Sequence, residues 1–153
     1  MIRITINEPA TLDMLRAVYA NKLNATSRGA RYSMNSKKKA FKEAVRLTAK
    51  VEGEPATGDL ILAIYSITLP RCDWDAPIKS LQDAIEPYIG CRNDRVIRYA
   101  WAFLTRPGKK TRYKPERKRG IVVELYNAKE EKDEALLRAG HLLDWGAECW
   151  DPR

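Results

Sequence analysis

Alternation sets the first element of the chain. Ile2, Ile4 and Ile6 are separated by Arg3 and Thr5, the two-residue period of a half-buried strand. Pro9 stops that strand. Leu12, Leu15, Ala17, Val18 and Tyr19 then recur at helical spacing, and the asparagines at 21 and 24 predict the close of this helix. Residues 25–35, punctuated by Gly29, read as a loop or short hairpin. Ser36 is a good N-cap for a helix running to about Lys50. Ala40, Phe41, Ala44, Val45, Leu47 and Thr48 form its apolar side and the lysines its polar side.

Residues 52–58 are a turn-rich link. The near-continuous apolar run over 59–69 predicts a central, largely buried strand, stopped by Pro70. Asp75 can cap the next helix, and Pro77 suits its first turn. Ile78, Leu81, Ile85 and Tyr88 give that helix a packing face, and Pro87 and Gly90 end it. Residues 95–105, with Val96, Ile97, Tyr99, Trp101 and Phe103, read as a strand, and residues 120–126 as another. These two are expected to pair as an antiparallel hairpin. From Lys129 onward, Leu136, Leu137, Leu142 and Leu143 mark a helix in an acidic tail. The order of elements predicts an α+β fold, a two-layer sandwich in which helices cover a mixed β-sheet, rather than a doubly wound one. Residues 1–128 are expected to form the main domain and 129–153 an acidic helical C-terminal extension.

Composition narrows the class. The chain has 153 residues, 44% hydrophobic and 31% charged, enough for one soluble core. No apolar run approaches the roughly 20 residues of a membrane span, and the N-terminus lacks a signal-peptide layout, so a cytoplasmic protein is expected. Cys72, Cys91 and Cys149 are odd in number and have no CxxC spacing, which argues against a disulfide framework and against structural zinc. The formal net charge is +8. Between Arg106 and Arg119, eight basic residues face one acid, Glu116, so almost the whole excess lies there. A second basic group is Arg28, Arg31, Lys37, Lys38, Lys39, Lys42 and Arg46. Clustered positive charge is the footprint of a nucleic-acid binder, with a merely solvated loop as the plain alternative.

Set in this basic background is an acidic cluster. Asp73 and Asp75, two apart, project from one face of an extended segment and repel each other unless a cation sits between them. Hard divalent ions such as Mg²⁺ favour such oxygen ligands. Lys79 lies one helical turn after Asp75. Asp94 leads into the strand at 95–105; if that strand lies beside 59–69, Asp94 is expected at the same sheet end as the other two acids. Three carboxylates there could hold one or two ions for phosphodiester hydrolysis, with Lys79 facing the developing charge. Simpler roles exist for each: Asp75 as a cap, Asp94 as a turn residue, Lys79 as a partner of Asp83. Trp74 points away from the acids, toward core packing or base stacking, and lone His141 reads as structural.

Asp73-Trp74-Asp75, Lys79, Asp83-Ala84 and Asn93-Asp94 followed by Val96-Ile97 resemble the signature of the RusA-type Holliday junction resolvases, D-x-D-N-x-x-K-x-x-x-D-A with D-D after about ten residues. The stretch Arg28-Gly29-Ala30-Arg31-Tyr32-Ser33 is similar to the N-terminal half of that family. The resemblance is clear over residues 65–96 and weaker over much of the rest, leaving out the acidic tail. It implies a RusA-like fold in which Asp73, Asp75 and Asp94 bind Mg²⁺, with Mn²⁺ as a substitute, and Lys79 assists catalysis. It further implies a homodimer that binds four-way DNA junctions and nicks two strands symmetrically in recombination and repair, in a nucleoid-associated setting of bacterial or phage origin. Phosphate contacts are expected from Arg28, Arg31, Lys37, Lys38, Lys39 and Lys42, and from Lys109, Lys110, Arg112, Lys114, Arg117, Lys118 and Arg119. Two positions depart from the pattern: Ala76 stands where the family has asparagine, and Asn93 where it has the first acid of the pair. Such neighbours orient ligands and are worth about 10–100-fold in affinity or activity. A weakly active or non-catalytic junction-binding protein of the same fold is therefore the alternative, and a metal nuclease acting on RNA or plain duplex a third reading.

Overall fold

In the computed structural model, Ile2, Ile4 and Ile6 are buried while Arg3 and Thr5 are not, as the alternation requires. The structure describes residues 1–20, 28–70, 76–89, 94–106 and 118–148, the side chains of 19–20, 28–33, 94 and 144–148 apart. The strands are β1 (Ile2–Ile6), β2 (Lys50–Gly53), β3 (Ile61–Thr68), β4 (Ile97–Thr105) and β5 (Gly120–Asn127), and the helices α1 (Pro9–Ala20), α2 (Arg28–Thr48), α3 (Ile78–Ile85) and α4 (Lys132–Glu148). One mixed five-stranded sheet runs β2-β1-β5-β3-β4. Only β3 and β4 are parallel; every other neighbouring pair is antiparallel.

β5 rather than β3 takes the middle of the sheet; β3 is an interior strand beside the β4 edge, with Ile61 through Tyr65 all buried. Its alternate residues serve two faces. Ile61, Ala63, Tyr65 and Ile67 join Leu12 and Leu15 of α1, Phe41 and Val45 of α2, and Leu81 and Ile85 of α3 in the main core. Helix and sheet layers thus form the expected α+β arrangement. Leu62 and Ile64 point the other way, to a smaller cluster with Tyr126 and with Ala135 and Ala139 of α4. The acidic tail therefore supplies a helix that covers part of the second face. Trp101 packs against this smaller cluster, half-buried.

Three expectations change. The strands at 95–105 and 120–126 do not make a hairpin: β3 lies between them, and β4 takes the outer edge. A strand as apolar as β3 needs partners on both sides, and the α3 crossover delivers β4 parallel to it. Second, α2 starts at Arg28, eight residues before Ser36; nothing between them, Pro above all, forbids helix, and a glycine in the first turn is tolerated. Third, part of the link before β3 is itself a strand. β2 pairs with β1 and ends at Gly53, whose φ of +89° favours glycine. A side chain there would also collide with the Met1 carbonyl oxygen. The three cysteines and Trp74 lie outside the described residues.

Candidate active site and nucleic-acid interface

The β3–α3–β4 crossover carries the acidic motif. Pro77 occupies the N-cap of α3, and its carbonyl accepts the Leu81 N–H at 2.9 Å. The cap position is thus not Asp75, and no side chain caps this helix. Ser80, Leu81, Ala84 and Ile85 are buried, so the turn carrying Lys79 and Asp83 keeps those two exposed on the opposite side. Among the described residues Lys79 makes no ion pair with Asp83 or any other acid. Past α3, a 3₁₀ turn (Glu86–Tyr88) ends the crossover, and Ile89 bridges in parallel to Ala56, just ahead of β3.

Asp94 opens a 3₁₀ turn (Asp94–Val96) that runs directly into β4. The register sets Ile97 against Ile61 and Thr105 against Thr68. β4 does lie beside β3, as expected, but the pairing is parallel. Asp94 therefore stands at the end where β3 begins, not at the end where it exits toward residues 71–75. Adjacency alone was insufficient to place it; strand direction decides the end. Asp73 and Asp75 lie outside the described residues. Among the described residues no group of three acids, histidines or cysteines could hold a metal ion.

The basic residues divide in the same way. Arg28 and Arg31 fall in the first turn of α2. Lys37 and Lys38 are half-buried, flanking the apolar side, while Lys39 and Lys42 are exposed. Lys39, Lys42 and Arg46 follow one another at three- and four-residue steps and so form a single solvent-facing row. Two of these charges have local partners. Lys42 Nζ lies 3.4 Å from Glu86, tying α2 to the end of the crossover, and Arg46 Nη2 lies 2.7 Å from Glu43. The Arg46 hydrogen bond holds the Glu43 carboxyl below its ordinary range. Lys109, Lys110, Arg112, Lys114 and Arg117 lie outside the described residues; Lys118 is exposed, and Arg119 donates to Asp13 of α1 at 2.7 Å.

No protein-family model, curated protein or solved structure matches the chain. Among the described residues no helix is long and apolar enough to cross a membrane.

Sequence reasoning missed one feature of the second face. Glu124 of β5 is buried, 3% exposed, and accepts a hydrogen bond from Arg138 Nε of α4 at 2.9 Å. Its signal was present, a charged residue inside the apolar run at 121–126, but the partner is fourteen residues away on another element. Beside that pair, between α4 and the strand ends, opens a cleft of about 840 Å³.

Proposed function

We propose that this chain is a Mg²⁺-dependent, structure-selective DNA endonuclease of the RusA type, resolving four-way junctions by paired symmetric nicks as a homodimer. The observation that carries the reading is the economy of the crossover. α3 has eight residues and rises about 12 Å, less than half the length of about 26 Å that eight residues give β3. The helix alone is too short to retrace the strand, and the acids lie in the sequence on either side of it. From Thr68 the chain can span at most about 18 Å by Asp73 and about 25 Å by Asp75, which lets Asp75 approach the sheet end where Asp94 stands and carries Asp73 part of the way. Lys79, exposed and without an ion pair among the described residues, stands at the start of α3, four residues after Asp75 in the sequence.

Asp73, Asp75 and Asp94 form an all-oxygen donor set suited to Mg²⁺, whose chemistry there is to polarise the phosphodiester and acidify a bound water. Lys79 faces the charge that develops on phosphorus. The row Lys39, Lys42 and Arg46, with the basic run from Arg106 to Arg119, holds the DNA backbone. A two-fold dimer matches the two-fold symmetry of the strands in a junction.

A second reading, a junction-binding protein that cleaves poorly, draws on Ala76, on Asn93, and on the position of Asp94 at the starting end of β3. Incubating the full chain with a labelled four-way junction separates the two. Nicked product with Mg²⁺ and none with chelator is the expected result; binding without nicks at any Mg²⁺ or Mn²⁺ concentration supports the second reading.

A further inference from the structure

Among the described side chains, α4 covers part of the second sheet face. It closes over Leu62, Ile64 and Tyr126. Toward the carboxyl ends of β3 and β4 the 840 Å³ cleft remains, a volume within the range of roughly 300–1,000 Å³ typical of ligand sites. Two cross-strand rows make its floor. Thr5, Val122, Ser66 and Phe103 are register partners across β1, β5, β3 and β4. Gly120, Thr68 and Thr105 form the next row, with the two threonine hydroxyls 2.7 Å apart. His141, Leu142 and Leu143 of α4 make the wall, and Leu143 is 62% exposed. Lys118 stands at the mouth.

Three properties define the occupant. Phe103 offers an aromatic surface. The Ser66 hydroxyl oxygen is buried and has no hydrogen-bond partner among the described residues, a costly state that a ligand relieves once the hydroxyl rotates about its Cα–Cβ bond toward the cleft. The mouth is cationic through Lys118, and the chain between Thr105 and Gly120, both floor residues, contains the whole basic run. A planar group with a polar edge, joined to a phosphate, satisfies all three. We propose that the cleft receives the base of one unpaired nucleotide of DNA, set against Phe103 and Ser66 with its phosphate on Lys118. This rests on the reading of the chain as a binder of branched DNA, and it adds how a branch is told from plain duplex: a base at a branch leaves its stack more cheaply than one within a helix.

The test uses a duplex with a single unpaired 2-aminopurine and its fully paired counterpart. The wild-type chain is expected to bind the unpaired form about tenfold more tightly, the worth of one stacked base, with a several-fold fluorescence rise as the base leaves the DNA stack. Two variants should abolish both effects while leaving affinity for paired DNA within about threefold. Leu143→Glu places a negative charge at the exposed wall without touching the core. Gly120→Leu fills the floor; a Cβ there meets its nearest neighbour, the Ile6 carbonyl oxygen, at an ordinary 3.7 Å. A preference and signal that survive Leu143→Glu overturn the proposal. Tight binding of paired DNA with no preference removes the cleft alone; no binding of any DNA removes the underlying reading with it.

Discussion

Where β3 and β4 begin, Ile61 faces Ile97, and the chain nearby contributes Asp94 and the closing turn of the α3 crossover. Where they finish, Thr68 faces Thr105, and the surroundings are hydroxyls, a cleft, Lys118 and the roots of the basic run. One parallel pair thus carries Asp94 at one end and Lys118 at the other. Parallel strands force this separation, because a crossover leaves one strand at its carboxyl end and enters the next at its amino end. Under the proposed function, cutting and holding would then be separable. Removing a carboxylate should spare DNA binding, and removing a cation should spare chemistry.

The largest expected effect belongs to the carboxylates. Asp94→Asn and Asp73→Asn should each lower Mg²⁺-dependent nicking by about 10²-fold or more, while junction affinity stays the same or rises because a charge that repels phosphate is gone. Gel assays of nicking and of binding on the same preparations check this. Full cleavage by either variant would refute the assignment. Next in size is the link that pins α4 beside the cleft. Arg138→Met strands the buried Glu124 carboxylate and should cost about 3 kcal/mol in a denaturant titration. A loss under about 1 kcal/mol would mean that water reaches Glu124 and that the second face is looser than its burial implies.

How much of this was legible beforehand follows from the range of each signal. Ile2, Ile4 and Ile6, and the apolar run ending at Leu69, announce strands because burial of alternate or successive residues is local information. Lys79 could be placed on an exposed turn because Leu81 and Ile85 fix the opposite face of α3. The pairing of β4 was not legible. Its residues suit a hairpin with β5 as well as a parallel neighbour of β3, and only the competition for the buried centre decides between them. With it went the end of the sheet at which Asp94 sits. The cleft was invisible for a similar reason: Thr5, Ser66, Phe103 and Val122 come from four strands and share a row only once the register is set.

Two smaller effects sharpen the contrast between the ends. If Lys79 faces the reacting phosphate as proposed, Lys79→Ala should lower turnover about tenfold with little change in junction affinity, since its ammonium has no ion-pair partner among the described residues to disrupt. Lys109→Ala/Lys110→Ala should do the reverse. If both lysines contact phosphate, the slope of log affinity against log salt should fall by about 1.8, with turnover at saturating DNA unchanged. An unaltered slope would take the basic run out of the interface and leave the α2 row as the grip.

The last effect probes how dry the closed half of the second face is. Tyr126 pairs in register with Leu62 beneath α4, and burial, reinforced by the nearby Glu124 and Glu134 carboxylates, pushes its phenol up to about 12. The ordinary value near 10 applies in the unfolded chain. A folded-state pKa above the unfolded one means that the neutral phenol is favoured by folding. That contribution is complete below pH 10 and is lost as pH rises through about 12. Tyr126→Phe retains the ring and removes the titration, so the variant should lose less stability than the wild type between pH 9 and pH 11.5. Thermal unfolding of both proteins across that window measures the difference. Equal losses would show that solvent reaches the phenol in the folded protein, and the distinction between a sealed half and an open, ligand-accessible half of this face would disappear.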